Sequence, residues 1–310
     1  MNEYEEIGEG FLKLHSPQYF HFMLYTFFYH TISDEDLGFA KHLYPIKSVK
    51  EFEEDLDFLL ANFEILKWEQ LKNWQTIQKP TFLLTFDDGL RQVGEVIAPI
   101  LLKRGIPAIF FVNKSFALHE AVFYKNKVSW LKSQIEDRTV WQKLTECNFH
   151  ESGKINHLAD QHGIDLNMLR PKDLYLSKNE IKSLSDKGFM IGAHSVNHPH
   201  FKDIDEVAQL RQINESVQWV VENFNSSMPT FAFPFEDYFL KKSFFEKVYK
   251  LPFSPQITFG TSDGKEDVIL NSIQRIDAER SGLPLEILFK KHKRKRFLRK
   301  LFFKNKLNRT

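Results

Sequence analysis

Short apolar runs alternate with longer amphipathic stretches along most of this chain. The runs at 20–29, 81–86, 107–112, 189–193, 230–233 and 256–259 have the length and the aromatic and β-branched content of buried strands. Between them the period lengthens to that of helices. Ser48-Val49-Lys50-Glu51 has the form of a capping box, after which Phe52, Leu56, Leu59 and Leu60 share one helical face. Ser177-Lys178-Asn179-Glu180 opens a second helix through Ile181 and Leu184 to a stop at Gly188. Helices are also predicted over 93–103 and 204–224. Strands alternating with helices at this pitch call for parallel βα units, hence a barrel or a doubly wound sheet. The segment 115–176 breaks the rhythm: it is polar, carries His119, His150, His157 and His162, and is predicted to be a helical insertion within a single domain spanning 1–289.

Composition agrees with a globular α/β body. With 310 residues, 42% of them hydrophobic and 15% aromatic, the chain can bury a sizeable core. The single cysteine, Cys147, excludes an internal disulfide framework and is compatible with a reducing compartment. The first eleven residues have neither a positive region nor an early apolar one, so no secretory signal peptide is expected. The longest apolar stretch, 19–29, is broken by His21 and bounded by His30, too short and too polar to span a membrane.

Charge changes the picture at one end only. The net charge is +1, yet eleven of the 42 Lys and Arg lie between Lys290 and Arg309, and all 41 Asp and Glu lie outside that segment. Phe297, Leu298, Leu301, Phe302 and Leu307 recur there at spacings near three and four, which predicts a basic amphipathic tail over 290–310. Bulky apolar groups interleaved with the charges favour an anionic membrane surface over nucleic acid as its partner. The expected location is cytoplasmic, peripheral to the inner face of the membrane.

Two polar clusters end apolar runs. Thr85-Phe86-Asp87-Asp88-Gly89 closes the run at 81–86, and both carboxylates can face one site if the strand ends there and the chain turns at Gly89. His194-Ser195-Val196-Asn197-His198 follows the run at 189–193, and its two histidines meet on one face if the chain turns helically between them. Both clusters fall at the C-terminal ends of strands, where parallel βα folds build their sites. Asp88, His194 and His198 together offer a carboxylate and two imidazoles, a set suited to zinc, with nickel, cobalt or manganese as neighbours. Asp87 is then left as general base for a water whose pKa the metal has lowered.

With these residues in view, the chain resembles the polysaccharide deacetylase family, the NodB-homology carbohydrate esterases. TFDDG matches the family's first motif, HSVNH its second, and Pro107-Ala108-Ile109-Phe110-Phe111-Val112 a strand usual between them. The resemblance implies a distorted (β/α)7 barrel and metal-dependent removal of an N-acetyl, less often O-acetyl, group from an amino sugar or polysaccharide. It places Asp87 as base and Asp88, His194 and His198 on the metal.

The third motif departs from the pattern, because Ala232 stands where an arginine orienting the base is usual; the backbone N–H of Phe235 is read as oxyanion donor, and Pro234 and Phe235 as substrate rim. Leu288-Phe289-Lys290-Lys291-His292 misspaces the family's C-terminal histidine, so His292 is read as a surface residue. Phe28-Tyr29-His30 resembles the exopolysaccharide branch, in which an N-terminal histidine serves as general acid, and the resemblance makes His30 the candidate for that role. The substrate expected is an acetylated glycan or lipid-linked sugar. Phosphoryl transfer ranks low, since no glycine loop is present to cradle phosphate. A barrel that binds glycan without catalysis, for want of the arginine and of the usual C-terminal histidine, is the alternative.

Overall fold

The computed structural model describes residues 23–224, 226 and 228–310. The reading of the extreme N-terminus, and the first three residues of the strand expected at 20–29, lie outside the described residues. Eleven strands follow in chain order: β1 (Leu24–Tyr29), β2 (Glu64–Ile65), β3 (Thr81–Phe86), β4 (Ala108–Val112), β5 (Met190–Ala193), β6 (Thr230–Ala232), β7 (Ile257–Gly260), β8 (Glu266–Asp267), β9 (Ser272–Gln274), β10 (Ile276–Asp277) and β11 (Lys306–Leu307).

The main sheet is parallel throughout, in the order β10-β1-β3-β4-β5-β6-β7-β9, with β2 beside β3. β9 and β10 are consecutive, with only Arg275 between them. One extended segment, 272–277, therefore pairs with β7 through its first half (Phe259↔Ile273) and with β1 through its second (Phe27↔Ile276). Counted as one split strand, this seam is the seventh of a distorted, nearly closed (β/α)7 barrel. A side chain at Gly260 would collide with Asp237 and Gln274 at 2.4 Å, so the seam closes only over a bare backbone there.

Strand register decides what faces the interior. In β3, Phe82, Leu84 and Phe86 pack against the helices, while Leu83 belongs to the cluster inside the barrel with Ile109, Phe111, Phe259 and Ile273. The helix Val49–Asn62 starts at Ser48 with both halves of the capping box formed, and Ser177 does the same for Lys178–Asp186. The helix expected over 93–103 begins as a π-type turn, Val93–Ile97, and continues as Ala98–Arg104. Between β4 and β5 lie short helices with their own apolar cluster, in which Leu131, Leu144 and Ile155 are fully buried. Among the described residues no helix is long and apolar enough to cross a membrane.

The C-terminal residues are built into this body. The helix Leu285–Leu301 buries Leu285, Leu288, Phe289 and His292. His292 is therefore not the surface residue expected: it stacks on Phe289 and faces Asp263 at 3.4 Å, because its helix turns that side to the barrel. β11 then pairs with β8, burying Leu307, which is thus absent from the outward stripe. Arg309 is buried against Asp237 and Asp267, each at 2.5 Å.

Candidate active site

Asp87 continues the inward register of Leu83 and Thr85 one residue past β3, and its backbone N–H still donates to Tyr29 at 3.0 Å. Asp88 would point outward if the strand went on. Instead it adopts φ 71° and Gly89 φ 65°, a left-handed pair that reverses the chain and brings the second carboxylate beside the first. Both aspartates are almost wholly buried, at 3% and 4% exposure.

His194 follows β5, its N–H bonded to Val112 at 3.0 Å as though the sheet continued. Ser195 and His198 then take left-handed φ values of 70° and 57°, and the Ser195 hydroxyl accepts the His198 N–H at 3.0 Å, winding the tight turn that aligns the two rings. Asn113 donates to the His194 carbonyl, and Ser115 to that of Val196 at 2.7 Å. The ring of His198 lies between Phe123, 4.3 Å away, and Phe235, 4.9 Å away. Phe123 comes from the helical insertion, so that segment forms one wall of the site.

These turns converge on one point. His194 Nδ1 donates to the Ala232 carbonyl at 2.9 Å, which leaves Nε2 as a lone pair. That Nε2 lies 3.1 Å from His198 Nε2 and 3.6 Å from Asp88 Oδ1, and the last two are 3.3 Å apart. Asp88 Oδ1 is buried and accepts no hydrogen bond. Burial pushes the His198 pKa down to about 4, so this imidazole is neutral near pH 7. A buried carboxylate oxygen without a donor, facing the Nε2 atoms of two imidazoles, is a donor set that fits a divalent cation.

Asp87 is held differently. Burial raises its pKa, but the guanidinium of Arg275, with Nη1 2.6 Å from Oδ1, and the nearby His194 bring it to about 2. Arg275 is itself fully buried. Its Nε donates to Gly260 at 3.2 Å and Nη1 to Thr85 at 3.2 Å, and its plane faces the rings of Phe28 and Phe111. This corrects the expectation that Asp87 lacks an orienting arginine. Ala232 leaves the usual position empty, and the seam delivers Arg275 to the same carboxylate from across the barrel.

His30, one residue past β1, pairs with Glu279, two residues past β10. His30 Nδ1 lies 2.7 Å from Glu279 Oε2, and its ring stacks on Tyr44 at 4.1 Å. Burial pushes this imidazole down, yet the Glu279 carboxylate raises it to about 9, so the ring is charged at neutral pH. His30, Tyr44, Asp87, Asp88, His194, His198 and Phe235 line one cleft of about 910 Å³, whose lining also includes Glu236, Lys295 and Arg299.

Phe235 is left-handed at φ 56° beside the buried Pro234. Asp237, two residues on, is fully buried against Arg309 and Gln274. His119 and His150 bond to backbone carbonyls away from the ligand cluster.

Sequence reading missed Arg275, Glu279 and Tyr44. The one trace of the first is a charge between Ile273 and Ile276 in a strand too short to show a period.

A family model described as polysaccharide deacetylase matches residues 75–247. Among solved structures, the Streptococcus pyogenes deacetylase PplD in complex with acetate is 17% identical, with a TM-score of 0.57 over 86% of this chain and 96% of that one. IcaB from Ammonifex degensii is 17% identical, with a TM-score of 0.55 over 85% and 94%. A de-N-acetylase from Aggregatibacter actinomycetemcomitans is 14% identical, with a TM-score of 0.57 over 86% and 99%. At these identities the likeness establishes the fold. No curated protein sequence matches the chain.

Proposed function

The chain belongs to the polysaccharide deacetylase family, and on that premise we propose that it hydrolyses the N-acetyl group of an amino sugar within a glycan, releasing acetate and leaving a free amine. Asp88, His194 and His198 would hold a divalent cation, zinc suiting one carboxylate and two imidazoles best, with nickel, cobalt and manganese as neighbours. Bound there, such a cation polarises an acyl oxygen and lowers the pKa of water within reach.

Asp87 takes the proton of the attacking water. Ionised, and pinned by Arg275 through Oδ1, it keeps Oδ2 on the His194 side of the site, 3.9 Å from Nε2. The backbone N–H of Phe235 is offered to the acyl oxygen as charge gathers there, with Pro234 and the Phe235 ring as rim. His30, kept charged by Glu279, delivers a proton to the departing nitrogen. A charged acid favours N-acetyl over O-acetyl substrates, because an amine leaves an amide only once protonated.

One observation carries this reading: an oriented, ionised base and a charged imidazole face the same cleft as the ligand cluster. The alternative of glycan binding without catalysis rested on a missing arginine and a missing C-terminal histidine; Arg275 beside Asp87 and His30 in the cleft count against it. Asp87→Asn should lower acetate release from an N-acetylglucosamine oligomer by about 10²–10⁴-fold with metal content unchanged. Full activity in that variant would sink the assignment of the base.

A further inference from the structure

The C-terminal helix carries a face that the fold leaves uncovered. Opposite its buried side the helix presents first Lys290, Lys291 and Arg294, and one turn later Phe297, Leu298 and Leu301, all exposed. The chain leaves the helix through Phe302 and Phe303, which are 67% and 94% exposed. Phe303 sits just past the helix end at φ 54°, its N–H donating to Lys300 at 3.2 Å and that of Lys304 to Arg299 at 2.7 Å. This paired closure ordinarily takes glycine. A phenylalanine there strains the backbone and gains no packing from the folded body. Single exposed apolar residues are ordinary, but five adjoining ones form a contact surface.

We propose that this face docks the protein on an anionic lipid surface, with Phe297, Leu298, Leu301, Phe302 and Phe303 entering the boundary between headgroups and acyl chains. Charge selects the occupant, since residues 290–309 include no acid. The phosphates of a nucleic acid would leave the five apolar tips in water, whereas a bilayer takes both kinds of group at once. Lys295 and Arg299 of the same helix line the cleft that holds Asp87, Asp88 and His30. Docking therefore sets the cleft beside the headgroup layer, and the substrate class that suits it is a glycan carried on a lipid. That last step rests on the deacetylase reading; the docking does not.

The test is sedimentation of the full chain with vesicles of phosphatidylcholine alone or with about 30% phosphatidylglycerol. The anionic vesicles should bind at least about tenfold more tightly, and less so as salt is raised. The variant Leu301→Gln/Phe302→Ser/Phe303→Gly should lose about tenfold or more of that binding. It should keep its melting temperature, since glycine suits φ 54°, and its acetate release from a soluble oligomer. The proposal is overturned if the parent chain does not bind, if it binds neutral vesicles equally, or if the variant binds as well as the parent. It is also overturned if the face instead closes a dimer in solution that the variant dissolves. Vesicle binding without acetate release would count against the deacetylase reading and leave the docking intact.

Discussion

Glu279 accepts the ring N–H of His30 at 2.7 Å and the backbone N–H groups of His30 and Thr31 at 2.9 and 3.3 Å. Burial raises this carboxyl's pKa above its ordinary value, and the charge of His30 and the three donors oppose that rise. The folded-state pKa of His30, about 9, lies above its ordinary 6.5. The stability contributed by the pair is therefore whole below 6.5 and is lost as pH rises through 9. Activity should follow the same charge, with the alkaline limb of kcat/KM reporting His30. The Asp87 and Asp88 carboxylates add to the rise, and a cation held at Asp88 removes part of their share, so the limb of the metal-loaded enzyme should fall at or below 9. Glu279→Gln should move that limb toward 6.5, by about one unit or more. A limb that stays in place in this variant would take His30 out of the acid role.

Elements are joined by a buried carboxylate that apolar periodicity does not reveal. Asp55, on the helix Val49–Asn62, receives Lys47 at 2.5 Å, the Tyr29 hydroxyl at 3.0 Å and the N–H of Leu285 at 2.8 Å. One side chain thus ties that helix to β1 and to the start of the C-terminal helix. Asp55 shares the buried face with Phe52, Leu56 and Leu59, while Leu60, read from sequence as part of that face, lies at its edge and is 39% exposed. A lone acid inside an apolar stripe was the visible signal. Asp55→Ala leaves Lys47, 2% exposed, without its counter-charge and should destabilise the fold by about 3–5 kcal/mol in urea unfolding. A loss under about 1 kcal/mol would show that water replaces the carboxylate.

At the scale of the whole molecule, legibility followed chain length within each element. The strands at β3, β4, β5 and β7 and the two capping boxes are local patterns, and the site residues that end those strands came with them. Tyr44, Arg275 and Glu279 were not legible, because their roles arise only when the barrel closes; β9 and β10, at three and two residues, are too short for any periodicity. The seam they form also imposes an order of assembly. Asp88, His194 and His198 hang from β3 and β5, which are linked through β4. Asp87 acquires its guanidinium only when residues 272–277 dock on β1, a pairing such as Phe27↔Ile276 between distant parts of the chain that is among the slowest contacts to form. During refolding with cobalt present, the metal's absorption band should therefore appear before acetate release recovers. A single shared rate would mean that the seam and the ligand turns form as one unit. Deacetylation is on this account a reporter of barrel closure, and a chain arrested one step short of it would still capture metal.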